Sequence, residues 1–157
     1  MGILVLIGLT ICLALTDIAL KSTVEGYMTR KEERTACKGR VILRKVYNKG
    51  FGFNLLEGKR DAVKYGSAYA TVILTIWQLI TLLRKKNYLK KWGLSFMTAG
   101  AWSNTFDRWF RGYVIDYVGF QTKWKKVTAM TYNLADFLIA AGGMMVLLAS
   151  VFKKRRK

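Results

Sequence analysis

The sequence predicts an all-α membrane protein with a small extracytoplasmic β element, four transmembrane helices and both termini cytoplasmic. Three observations carry that expectation. The 157 residues are 52% hydrophobic yet 23% charged, with the apolar residues gathered in blocks, an unusual balance for a soluble domain of this size. Runs 3–20, 66–83 and 133–152 each approach the roughly 20 residues that a spanning helix needs. Basic clusters follow the second and fourth runs, RKKNYLKK at 84–91 and KKRRK at 153–157, where the positive-inside rule holds them in the cytoplasm. A further stretch, 92–107, is shorter and richer in small and polar residues. Alone it also reads as a buried amphipathic helix; taken as a crossing, it closes the topology. The whole chain, 1–157, then forms one integral-membrane domain.

The first run resembles a secretory leader, but residues 1–16 lack a basic leading region. The run continues to Leu20 without a small-residue cleavage site, so an uncleaved first helix is expected. Thr10, Ala14, Asp17 and Lys21 fall at spacings of four, three and four, which places them on one helix face. Asp17 and Lys21 are expected to pair near the membrane surface, anchoring the helix end or orienting a headgroup. Segment 22–64 is the expected extracytoplasmic cradle. Between 21 and 64 stand twelve Lys/Arg against five Asp/Glu; a surface lying on anionic headgroups and a merely solvated one both fit. VILRKVY, 41–47, is rich in β-branched residues and reads as a strand.

In the third run Gly100, Asn104, Asp107 and Arg111 recur at helical spacing, a small-then-polar stripe suited to close packing and interhelical hydrogen bonds. Asp107 and Arg108 are adjacent, so each holds a different neighbour; both are expected to be structural and substrate-orienting. In the connection 108–132, Gly112 is a plausible break, and RGYVIDYVGF reads as extended backbone. The fourth run sets Asn133, Asp136, Ala140, Gly143 and Leu147 on one stripe, so Asp136 is expected to face the bundle with Asn133 beside it.

The nine acids divide sharply. Glu25, Glu32, Glu33, Glu57 and Asp61 lie in the polar segment and are expected to be solvated, whereas Asp17, Asp107, Asp116 and Asp136 lie in or beside apolar runs. A charge at the centre of a membrane helix costs about 2.5–3.5 kcal/mol on insertion scales, so acids kept there usually face a partner or a cavity. Asp116 is free to approach Asp136 from a different element. Two carboxylates in a partly desolvated place share a proton. Such a pair suits aspartic proteolysis; a proton-carrying or ion-pairing site in a small transporter fits the residues equally.

Other chemistries are excluded more easily. There is no His, which removes HExxH metalloprotease helices and Ser-His or Cys-His nucleophile pairs. Cys12 and Cys37 lie in settings too different for a zinc site or an evident disulfide framework. No metal and no cofactor is expected. The net charge of +18 sits at the ends of apolar runs, not along one face with interleaved aromatics, so no nucleic acid is expected as a partner.

Five blocks in order then resemble the lipoprotein signal peptidases, also called signal peptidase II. They are Asp17 with Lys21; Asn48-Lys49-Gly50-Phe51-Gly52-Phe53; residues Ala99 to Arg108, reading AGAWSNTFDR; Gly112 to Tyr117, reading GYVIDY; and Tyr132-Asn133-Leu134-Ala135-Asp136. The resemblance implies an intramembrane aspartic endopeptidase of the bacterial cytoplasmic (inner) membrane, a multi-pass monomer in contact with membrane lipids. Its substrate would be a diacylglyceryl-modified prolipoprotein, cut just before the lipidated cysteine. Asp116 and Asp136 would be catalytic; Asn48, Gly50, Asn104, Asp107, Arg108 and Asn133 would bind substrate; Asp17 and Lys21 would be structural. A non-proteolytic protein that binds lipidated peptides, or a small proton-coupled transporter, is the alternative. The chain departs from the family's usual pattern at Phe51 and Gly52 in the loop motif, at Ser103 for Gly, at Ile18 for Gln and at Phe137 for Ser. The changes at Phe51, Gly52 and Ser103 bear on the shape of the substrate groove, and Phe137 bears on hydrogen bonding around the pair.

Overall fold

The computed structural model describes residues 2–50 and 58–154. Phe51, Gly52, Phe53, Glu57 and the basic end 155–157 lie outside the described residues. Among the described residues, four long helices carry the fold: α1 (Ile3–Tyr27), α2 (Arg60–Leu83), α3 (Tyr88–Phe110) and α5 (Leu134–Lys154). A short helix, α4 (Lys125–Thr128), lies between β3 (Val114–Phe120) and β4 (Thr131–Tyr132); β1 (Glu33–Ala36) and β2 (Val41–Asn48) lie between α1 and α2. The four strands form one antiparallel sheet in the order β1-β2-β3-β4. The strand expected at 41–47 is β2, and the extended segment after Gly112 is β3.

Among the described residues, three helices are long and apolar enough to cross a membrane: α1, α2 and the Leu134–Phe152 part of α5. Their outer faces carry exposed Leu4, Ile11, Leu15, Val72, Ile76, Leu79, Met144, Leu147 and Val151, the surface that a bilayer would cover. α3 differs because it packs against each of the other three. Its buried residues include Gly93, Ser95, Thr98, Gly100, Ser103, Asn104 and Asp107. Shielded by helices on several sides, α3 can be polar where its neighbours cannot, which explains its weak apolar signal.

Between helices in lipid the hydrophobic drive is absent, so close packing and hydrogen bonds hold them. Gln78 Nε2 donates to Thr10 Oγ1 at 2.8 Å and to Ser95 Oγ at 3.1 Å, joining α2 to α1 and α3. Thr71 and Thr105 hydroxyls meet at 2.8 Å. α1 buries Leu6, Thr10, Ala14, Asp17 and Lys21, the face expected from their spacing.

The stripe on α5 is a correction. Ala140 and Leu147 are exposed, and a Cβ on Gly143 would meet nothing within 4 Å. The buried face is Ala135, Leu138, Gly142 and Val146. Asn133 and Asp136 belong to the helix start, where Asp136 faces a cavity and Asn133 is buried beside it, so their direction does not report the packing face further along. At Gly142 a Cβ would lie 2.8 Å from Met97 N, and at Gly93 it would lie 2.7 Å from Gly142 O; these backbones have closed onto one another.

Gly142→Ala is therefore expected to destabilise by about 1–3 kcal/mol through overpacking. Gly143→Ala should be neutral or stabilising, since helix propensity favours Ala over Gly. Thermal unfolding of the two variants in detergent checks the contrast.

Candidate active site

A cavity of about 490 Å³ opens where the sheet meets the ends of α3 and α5, and Asn48, Asn104, Arg108, Asp116 and Asp136 all line it. Strand pleating explains how β2 and β3 contribute. Side chains at i and i+2 share a face, so Val46 and Asn48 on β2 line the cavity with Val114 and Asp116 on β3. Asp116 pairs in register with Val46, and Asn48 with Val114. The rest of the wall is Ala129, Met130, Thr131 and Tyr132. Arg44 holds that segment down, donating to Thr131 Oγ1 at 2.7 Å and to the carbonyls of Thr128 and Met130 at 2.8 and 2.9 Å.

Asp136 is the third residue of α5, and Asn133 precedes the helix. Asn133 Oδ1 accepts the Asp136 N–H at 3.0 Å while Asp136 Oδ2 accepts the Asn133 N–H at 3.0 Å. This is a reciprocal cap of the helix start. The acid at the head of an apolar run therefore closes its own helix and leaves its other oxygen for the cavity.

Three asparagines then aim their amides at the two carboxylates, and each is oriented by a group that can only donate. Asn133 Oδ1 is occupied by the Asp136 N–H, so its Nδ2 is left for Asp116 Oδ1, at 2.6 Å. Asn48 Oδ1 accepts the Gly50 N–H at 3.0 Å, turning its Nδ2 to Asp116 Oδ2 at 3.2 Å. Asn104 Oδ1 accepts from Lys21 Nζ at 2.7 Å, turning its Nδ2 to Asp136 Oδ1 at 3.2 Å. An ammonium has no acceptor, so the last amide has one stable orientation.

The charges converge as well. Burial, and then the charge of Asp136, push the Asp116 carboxyl up to about 7, against the opposing hydrogen bonds from Asn133 and Asn48. Arg108 sits close enough to interact electrostatically with Asp136, Asp116 and Asp107. It donates to Gly50 O at 3.1 Å and to Asn104 O at 3.3 Å.

Behind this cavity lies an ion cluster that sequence reasoning divided among separate elements. Lys21 and Asp17 do pair, at 2.8 Å, but both are wholly buried, which removes the headgroup role. Lys21 also lies 3.3 Å from Asp107 Oδ2 and donates to Ser103 Oγ at 3.2 Å. Asp107 is a second correction. It is wholly buried and absent from the cavity wall, engaged instead with Lys21, the Arg111 guanidinium and the Ile115 N–H. Two acids thus meet two cations. Ser103 donates to Asp17 Oδ2 at 2.6 Å, so it completes the ion cluster and does not shape a groove. Phe137 packs its ring near Phe120 and Tyr132, at 6.0 and 5.9 Å between centroids, and leaves the hydrogen bonds of Asp136 to Asn104 and Asn133. Glu25, expected to be solvated, lies half-buried in the last turn of α1 and accepts from Tyr47 Oη at 2.7 Å. Arg44 and Tyr117 were missed: an isolated Arg on a basic strand and a Tyr beside an Asp carry no spacing signal.

A profile described as Signal peptidase (SPase) II matches residues 9–152. The chain belongs to the signal peptidase II family. A lipoprotein signal peptidase from Fusobacterium nucleatum is 27% identical over 154 residues, covering 98% of this chain and 90% of its own. Another, from Sinorhizobium fredii, is 31% identical over 152 residues, covering 96% and 89%. A solved structure described as a bacterial membrane enzyme, determined in meso at 2.3 Å resolution, superposes with a TM-score of 0.84 at 19% identity, covering 99% of this chain and 92% of its own. That likeness extends to the arrangement of helices and sheet.

Removing one partner from a buried ion cluster costs about 3–5 kcal/mol. Lys21→Met is expected to fall in that range, and Lys21→Met combined with Asp17→Asn should recover part of the loss; chemical or thermal unfolding in detergent measures both.

Proposed function

We propose that the chain is an aspartic endopeptidase that removes the signal peptide from diacylglyceryl-modified bacterial prolipoproteins, cutting just before the lipidated cysteine. The observation that carries this reading is the meeting of Asp116 and Asp136 at one cavity, with Asn133 bonded to both. The relatives' shared name, lipoprotein signal peptidase, supports the substrate class.

The chemistry follows from the charges. Two facing carboxyls at neutral pH share one proton, and burial beside Asp136 favours it on Asp116. Asp136 then takes a proton from water as the water attacks the peptide carbonyl, while Asp116 donates to the carbonyl oxygen. The roles reverse as the amine leaves. Asn48, Gly50, Asn104, Arg108 and Asn133 hold the pair and the substrate backbone around it; Asp107 acts from behind, through Lys21. We read α3 as the fourth crossing. At about 1.5 Å per residue its 23 residues are long enough, and both termini then lie in the cytoplasm. The whole chain, 1–157, is one integral-membrane domain of the cytoplasmic (inner) membrane, working as a monomer with lipid around it.

Asp116→Asn and Asp136→Asn should each cut cleavage of a diacylglyceryl-modified precursor by at least about 100-fold while the variants still purify folded from membranes. Mass spectrometry of the products locates the cut, and activity retained in both variants defeats the reading. The pH dependence has a definite sign. Raising the pH through about 7 removes the proton from Asp116, so kcat/KM should fall on the alkaline side with a limb near that value.

A further inference from the structure

We propose that Tyr117 is a positioning residue for the carboxylate pair, its hydroxyl fixing the first turn of α5 against α1 from the face of β3 opposite Asp116. The inference rests on the peptidase reading above.

Tyr117 Oη donates to Asp17 Oδ1 at 3.0 Å and accepts the Leu134 N–H at 3.1 Å. The direction of both bonds is forced, because a carboxylate only accepts, a backbone N–H only donates, and a phenol has one proton. Leu134 is the first residue of α5, and its N–H is one of the four that a helix start leaves without an internal partner. The cap formed by Asn133 and Asp136 uses the N–H groups of those two residues; of the two between, Tyr117 satisfies that of Leu134. Asp17 is itself held by Lys21 and Ser103. A single hydroxyl therefore ties β3, α1 and α5 together within one turn of Asp136.

The pleat makes this tie act on both carboxylates. Consecutive strand residues point to opposite faces. Tyr117 is buried with Ile115 on the face toward the helices, while Asp116 lines the cavity. Anchoring Tyr117 holds Asp116 through the adjoining backbone and Asp136 through the helix start. Without the hydroxyl, β3 and the start of α5 are still joined through the Asn133 amide and the short β3–β4 ladder, but with one tie fewer, and the two carboxylates are held less tightly. Misplacement of reacting groups by about 1 Å is enough to cost on the order of 100-fold in rate.

The test compares the purified full chain with Tyr117→Phe in detergent, on a diacylglyceryl-modified precursor. The expected result is a kcat lowered about ten- to a hundredfold per folded molecule, with KM within about twofold. The alkaline limb should also move to lower pH. The groups that act on Asp116 are Asp136 of α5, Lys21 of α1, Asn133 and Asn48, with Arg108 of α3 nearby. Of these, Asp136 is the one whose charge raises the limb, and its grip weakens with distance. Amide exchange across 134–136 should quicken in the variant. Should Tyr117→Phe not fold, Tyr117→p-aminophenylalanine keeps a donor for Asp17 but is a poor acceptor for Leu134, and the same loss of kcat is expected. Unchanged kcat, limb and exchange, with only a lower melting temperature, would overturn the proposal. A wild-type chain that leaves the precursor uncut would instead overturn the peptidase reading beneath it.

Discussion

Most of the interior depends on the ammonium of Lys21, held without access to solvent between α1 and α3. It neutralises Asp17 and Asp107, two carboxylates equally removed from solvent, and such acids would be strongly destabilising without a cation. In lipid, helix association lacks a hydrophobic drive, so an ion cluster spanning two helices gives their packing both strength and a defined register. The same ammonium reaches Asn104. One charge thus links the assembly of the bundle to the direction of an amide in the cavity.

That link belongs to a wider pattern. An asparagine side chain is nearly symmetric in shape and reverses its hydrogen-bonding sense when it flips. Each of the three around the carboxylates has its oxygen occupied by an obligate donor: an ammonium, a loop N–H or a helix N–H. The amide hydrogens are then committed to Asp116 and Asp136 before any substrate arrives. Groups fixed in advance of the reaction need no reorganisation during it, which is the usual source of electrostatic advantage in a water-poor site.

The sheet supplies what helices alone lack. A strand offers two faces from consecutive residues, so β3 presents Asp116 to the cavity while Ile115 and Tyr117 bind the helices behind it. The bulge between Leu43 and Val46 falls where β2 passes Asp116. Arg44, within that irregular stretch, turns to grip the segment that lines the opposite wall. Bulges commonly re-aim side chains next to functional sites, and this one turns a strand residue into a clamp.

Much of the architecture was legible in the residues alone. Apolar blocks of membrane length marked α1, α2 and α5, β-branched residues marked β2, and Gly112, at φ +79°, marked the end of α3. The acids left in apolar surroundings pointed to the important places, because an uncompensated charge there is too costly to keep without a purpose. Spacing along one helix also yielded the Asp17–Lys21 pair and the buried face of α1, since both are local. What the residues could not decide was anything that needs two elements at once: that Asp107 and Ser103 serve Lys21, that Phe137 turns toward Phe120, that Gly142 and not Gly143 meets α3, or that Tyr117 reaches Asp17 across 100 positions. Periodicity describes how a segment presents its own side chains. Which partner stands opposite, and therefore whether an acid joins a buried ion cluster, faces a cavity or meets solvent, is settled by the packing of separate segments in three dimensions.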